Sequence, residues 1–166
     1  MAVEDLGPAE RIVAGAVGEP GQRRFYLQIH AGGSLTTLLA EKQQVAALAE
    51  QGLRILAQRG ISSEQEAVDR LVAQGLQVVD PGDGNERFRV GEISIALGSA
   101  ELLIVEIVSI EEDDAVSFVI APEQFRAMAQ VALDVVAAGR PLCQWCQMPM
   151  DPEGHACPAR NGHHRE

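Results

Sequence analysis

Hydrophobic and polar positions recur along the chain in an order that occurs twice. The first block, residues 11–60, opens on the run Ile12-Val13-Ala14-Gly15-Ala16-Val17. Glu19-Pro20-Gly21-Gln22 is a turn signal. Phe25, Leu27 and Ile29 then alternate with Tyr26, Gln28 and His30, which predicts a half-buried strand. On that pattern His30 is a surface residue. Gly32-Gly33 turns the chain into a third β-rich run over 34–40.

The second block, 88–140, opens on Phe88-Arg89-Val90-Gly91-Glu92-Ile93. Two further β-rich runs, 102–110 and 115–121, flank Glu111-Glu112-Asp113-Asp114, an acidic tetrad expected in a solvated hairpin loop. Each block closes on an amphipathic helix. Gln44-Val45-Ala46-Ala47-Leu48-Ala49 stands 80 positions before Gln124-Phe125-Arg126-Ala127-Met128-Ala129. Val45, Leu48, Ile55 and Leu56 keep helical spacing, as do Phe125, Met128, Val135 and Val136. Gly52 and Ala132 fall on the same stripes, where small residues would let helix and sheet approach closely. Glu41 and Lys42 read as first-turn charges.

Between the blocks lies 61–87. Ser63-x-x-Glu66 is a capping-box pattern that predicts a short helix to about Gln74, ended by Gly75. Asp80-Pro81-Gly82-Asp83-Gly84-Asn85 reads as an exposed loop. The expected architecture is therefore α+β: two βββα repeats forming antiparallel sheet packed by helices, over 1–140. A tail, 141–166, is too short for a core of its own and needs a metal or a docking surface to hold its shape.

Composition narrows the options. The chain has 166 residues, of which 46% are hydrophobic and 4% aromatic, so a single aliphatic core is expected. The formal net charge is −11, which opposes phosphate backbones and anionic membranes except at a local basic patch. Arg11, Arg23 and Arg24 near one end, and Arg160 and Arg165 near the other, are the candidates for such a patch. The first residues lack a basic start and an apolar run, and no stretch reaches the length of a membrane span. The expected compartment is the cytoplasm, because three cysteines cannot all pair and their spacing suits metal better than disulfides.

The tail holds all three cysteines and three of the four histidines. Cys143-x2-Cys146 brings two sulfurs to one side of a turn. His155-x-Cys157 would point both groups to one face of an extended segment. Asp151-Pro152-Glu153-Gly154 reverses the chain before that pair. Cys143, Cys146, His155 and Cys157 thus form a candidate set for structural Zn2+, with His163 or His164 as an alternative fourth ligand. Four protein ligands would close the coordination shell. A catalytic zinc would need an open position and a base, for which Glu153 is the nearest acid. A redox CxxC would leave the downstream histidine and cysteine unexplained. No catalytic constellation is apparent elsewhere. Glu101 and Glu106, five apart on a strand, would face opposite sides. There is no P-loop and no Gly-x-Ser-x-Gly, and Gly32-Gly33-Ser34 is too short to claim a phosphate.

The chain resembles an actinobacterial family, domain-of-unknown-function family 3090 (DUF3090), over about 11–165. The resemblance is carried by Val17-Gly18-Glu19-Pro20-Gly21-Gln22-Arg23-Arg24-Phe25-Tyr26-Leu27-Gln28, by Glu41-Lys42-Gln43-Gln44-Val45-Ala46-Ala47-Leu48-Ala49 and by Phe88-Arg89-Val90-Gly91. The tail Asp151-Pro152-Glu153-Gly154-His155-Ala156-Cys157-Pro158 to Asn161-Gly162 is its most specific part. The resemblance implies a zinc-ribbon-like C-terminal element and no assigned activity. Its gene neighbours, lipid-kinase-like and phosphoglycerate-mutase-like proteins, hint at a shared pathway. The family form near the first pair is closer to Cys-Pro-x-Cys-Gly, where this chain has Gln144 and Gln147. The position after Asn-Gly is commonly aromatic there, which favours His155 over His163.

The function these observations favour is a non-catalytic, zinc-binding interaction module or accessory factor with a protein partner. One alternative is single-strand nucleic-acid binding on the sheet, using Phe25, Tyr26 and arginines, since the repeat distantly resembles PUR-type repeats. Another is an enzyme or accessory of phosphoryl or nucleotide metabolism, which rests on the family's neighbours alone.

Overall fold

A computed structural model describes residues 2–19, 21–138, 143–147 and 157. Three strands come first: β1 (Val3–Val17), β2 (Arg24–Ala31) and β3 (Ser34–Ala40). Helices α1 (Lys42–Gln58) and α2 (Gln65–Ala73) follow. Then come β4 (Phe88–Leu97), β5 (Leu103–Ser109), β6 (Ala115–Ile120) and α3 (Pro122–Ala138). The α+β class holds, and the sheet is one continuous surface. It closes into a six-stranded barrel in the order β1-β2-β3-β4-β5-β6.

The sheet is not wholly antiparallel, as the hydrophobic pattern had implied. β3 and β4 pair in parallel through Leu38↔Phe88 and Leu39↔Arg89. β1 and β6 also pair in parallel. The helices explain the first seam: a chain that leaves the sheet through α1 and α2 re-enters by a crossover, which delivers a parallel strand. The second seam depends on β1, which starts at Val3, well before the Ile12 start that the β-branched run indicated. Its first half lies beside β6 (Val3↔Ala115 to Pro8↔Val119) and its second half beside β2 (Ala9↔Ala31 to Val17↔Arg24). Register shifts at Asp5/Pro8 and Ala9/Arg11 mark the transfer between neighbours. Gly7, at φ +79°, supplies the backbone freedom there, and Pro8 has no N–H to offer a ladder. The charged, Pro-containing sequence of this half hides its strand character.

One hydrophobic cluster joins the inward faces of the strands to α1 and α3. It includes Ile12, Leu27, Leu38, Leu48, Val105, Phe118, Phe125 and Met128. Alternation is clean on β5, where Leu103, Val105 and Ile107 are buried while Ile104 and Glu106 are exposed. β2 departs from the half-buried expectation: Tyr26 and Gln28 are 2% and 1% exposed. Residues 76–79 lie over that face. The Val79 N–H donates to Gln28 Oε1 (2.9 Å), and Gln28 Nε2 donates back to the Val79 carbonyl (2.7 Å). The Gln28 amide thus substitutes for a neighbouring strand. A second cluster on this outer side joins Val13, Val68, Leu76 and Ala127.

Several local readings change for similar tertiary reasons. The N-cap of α2 is Glu64, not Ser63. Ser63 Oγ instead accepts a hydrogen bond from Arg126 Nη1 of α3, and Arg126 Nη2 donates to the Ile61 carbonyl. At α1, Glu41 is the N-cap, and its N–H donates to Gln44 Oε1 (2.8 Å). Gln44 Nε2 reaches the carbonyls of Val90 and Gly91 on β4. The acidic tetrad is more than a solvated loop: Ser109 Oγ donates to Asp113 Oδ1 (2.9 Å) and accepts from the Asp113 and Asp114 N–H groups. Asp114 forms a two-point ion pair with Arg87 (2.9 Å for both contacts), and Arg87 also meets Glu4. This one guanidinium ties the approach to β4, the β5–β6 hairpin and the start of β1. The contact with Arg87 holds the Asp114 carboxyl below the usual carboxylate range.

Gly52 mediates close approach between α1 and α3 rather than between helix and sheet. A Cβ built there would lie 2.0 Å from Phe125 Cζ. Gly52→Ala should therefore lower stability by about 2 kcal/mol despite the better helix propensity of alanine, through overpacking against a fully buried ring. Urea denaturation checks this, and adding Phe125→Leu should recover part of the loss. The sign for Asp114 also follows. Its depressed pKa makes the Arg87 pair fully stabilising above the unfolded carboxylate value, and that contribution disappears as pH falls through the folded value. The stability gap between wild type and Arg87→Gln should thus be constant near neutrality and shrink below about pH 4 in denaturation midpoints.

Candidate metal centre

The tail follows α3. Cys143 is 3% exposed, while Cys146 and Cys157 are half-buried. Cys143–Cys146 forms a single turn closed by the Gln147 N–H donating to the Cys143 carbonyl (2.9 Å). The Trp145 N–H points at Cys143 Sγ (3.4 Å). Backbone N–H groups, first that of Cys146 and then that of Trp145, hold the Cys143 thiol below the ordinary thiol range, which favours the metal-binding thiolate. Cys157 comes back to the turn, and its Sγ lies 3.7 Å from that of Cys143.

All three sulfurs lie within 4.8 Å of one another. A disulfide would need about 2.05 Å. Thiolates sharing one tetrahedral zinc at about 2.3 Å lie about 3.8 Å apart, close to the Cys143–Cys157 separation. The donor set and its spacing therefore suit a soft or borderline divalent metal, and three cysteines are positioned to hold it. The expected fourth ligand, His155 or its alternatives His163 and His164, lies outside the described residues, as does Glu153.

Gln147 adopts φ +64°, the left-handed region that favours glycine. This accounts physically for a Cys-x-x-Cys-Gly form of the turn, and the glutamine at this position adds strain to the knuckle. Trp145, 54% exposed, projects beside the cluster.

The remaining candidates are placed elsewhere. His30 is half-buried rather than a free surface residue, with Nε2 3.3 Å from Arg11 Nη2. Burial first, and then Arg11, lower its pKa. Glu101 sits in a 3-10 turn before β5 and Glu106 on the outer face of β5, so they form no carboxylate pair. Phe25 and Tyr26 are 8% and 2% exposed and present no stacking platform for bases. Arg23 and Arg24 are separated from Arg11 and share a cleft with Lys42 and Arg89. Sequence spacing concealed that grouping, because the four cations lie on three segments that meet only in the fold. Among the described residues, no helix is long and apolar enough to cross a membrane.

Taken together, these features define an α+β barrel protein with a C-terminal cysteine cluster able to hold a metal ion. The chain belongs to the family described as "Protein of unknown function (DUF3090)", whose model matches residues 5–157. That span takes in the barrel except the first two residues of β1, and all three cysteines. No curated protein and no solved structure matches the chain.

Gln147→Gly should relieve the left-handed strain, worth about 1 kcal/mol, and so raise metal affinity roughly fivefold. Competition against a chromogenic chelator, compared with wild type, measures this directly.

Proposed function

We propose that the cysteine cluster is a structural zinc site, and that the protein is a non-catalytic interaction module or accessory factor acting in the cytoplasm. The observation that carries this reading is the convergence of three cysteine sulfurs within 4.8 Å. Zinc fits thiolate ligands at this spacing and needs no redox partner. His155 supplies the fourth ligand in this reading. It stands two positions before Cys157 and inside the family match, whereas His163 falls beyond residue 157. Three cysteines and one histidine would fill the coordination shell, leaving the metal to fold the tail rather than to activate water.

The tail presents Trp145 to solvent beside the metal ligands. An aromatic held on a small rigid knuckle is a suitable anchor for a protein partner. The two strand-strand-strand-helix halves are read as copies of one unit. They share element order, and their helices align at an offset of 80 residues. In this reading the barrel is the scaffold and the metal tail the contact element.

Protein purified without added metal should carry about one zinc per chain by elemental analysis, and a strong chelator should lower its melting temperature. Cys146→Ser and His155→Ala should each lose the metal, while His163→Ala retains it. Metal-free protein with three titratable thiols and an unchanged melt would overturn the zinc reading. Loss of metal in His163→Ala alone would move the fourth ligand there.

A further inference from the structure

A second site lies on the barrel, away from the tail. An open cleft of about 460 Å3 is walled by the start of β2, the end of β3, the start of α1, the loop containing Asp83 and the start of β4. Arg23, Arg24, Lys42 and Arg89 all line it. The chain has 13 basic side chains against 24 acidic ones, and Lys42 is its single lysine. Glu41, Asp83 and Glu86 share the lining, so four cations face three carboxylates and the cleft is net positive, against the average field of so acidic a protein.

Among the described residues, one of the four is matched by a carboxylate in contact: Arg24 meets Asp83 at 2.6 Å. Arg23 is held without being neutralised. Its Nη2 donates to the Val135 carbonyl of α3 (2.9 Å), and its guanidinium lies 5.3 Å from the centre of the Phe25 ring. Lys42 is half-buried and Arg89 exposed, and neither has an ion pair among the described residues. Arg23 is thus pre-positioned, while Lys42 and Arg89 carry charge that no contact among the described residues offsets. The adjoining depression beyond Arg89 is lined by Glu111, Asp113 and Asp114, so an anion is directed to the Lys42 side.

We infer that this cleft binds a phosphate-bearing small molecule, with Arg23, Lys42 and Arg89 as its anion-binding groups. Donors arriving from three separate elements suit the several oxygens of a tetrahedral phosphoryl group better than the two coplanar oxygens of a carboxylate. The cleft is larger than one phosphate needs. Glu41 and Glu86 on its wall can accept hydrogen bonds from hydroxyl groups on the rest of the ligand. The site is independent of the cysteine cluster, so either assignment can fail without the other.

The test is calorimetric titration of the full-length protein at low ionic strength with glucose 6-phosphate and inorganic pyrophosphate, and with glucose and citrate for comparison. Both phosphates should bind, glucose should not, and citrate should bind more weakly. Lys42→Ala and Arg89→Ala should each weaken phosphate binding roughly tenfold, the loss of one charge-assisted contact. Arg54→Ala, on an exposed position of α1, should leave it unchanged. Circular dichroism and melting temperature verify that each variant is folded. No binding of either phosphate, binding unchanged in both cleft variants, or citrate binding as tightly as the phosphates would each overturn the assignment.

Discussion

The structure depends on β1 serving two neighbours. Its 15 residues lie beside β6 over the first half and beside β2 over the second. If it paired with only one of them, the other would be left as an open edge with a row of unsatisfied backbone groups. Closure turns six strands into one continuous surface, whose inner side packs on α1 and α3. The irregularities around Gly7 and Pro8 are the means of this transfer, since a regular strand would stay with a single partner.

Closure leaves awkward junctions, and polar side chains bridge them. Gln28 pairs with the backbone of Val79 as a strand would. Gln44 links the first turn of α1 to the β4 carbonyls. Arg126 holds the segment between α1 and α2 through Ser63 and Ile61. Arg87 joins the hairpin and the start of β1 to the β3–β4 seam, where ladder pairing is shortest. Each of these groups satisfies backbone or charge that the barrel geometry would otherwise strand. Between the helices, the missing side chain at Gly52 performs the corresponding role for packing, making room for Phe125.

The two sites use different physics. The cysteine cluster is local in sequence, and the energy that would hold it comes from metal–ligand bonds rather than from apolar burial. The cationic cleft has no local signature. It exists because three segments meet beside the parallel seam, and its framework is the barrel itself. The first belongs to the short segment after α3, the second to the barrel, whose strands hold the charges in place.

By itself the sequence determined the α+β class, the strand-rich runs from β2 onward, the buried stripes of α1 and α3, and the cysteine cluster. These are short-range properties: periods of two and of 3.6, turn residues, and thiols a few positions apart. Tertiary structure alone decided the first half of β1, barrel closure, the parallel seams and the burial of Tyr26 and Gln28. In each case the deciding partner lies far away in the chain. Val3 is paired by Ala115, and Gln28 by Val79. The same holds for Ser63, whose capping pattern was legible but whose hydroxyl was taken by Arg126. Periodicity records which face of an element is apolar. It carries no information about which distant segment arrives to cover a polar face, and that arrival set the core boundary and the cleft.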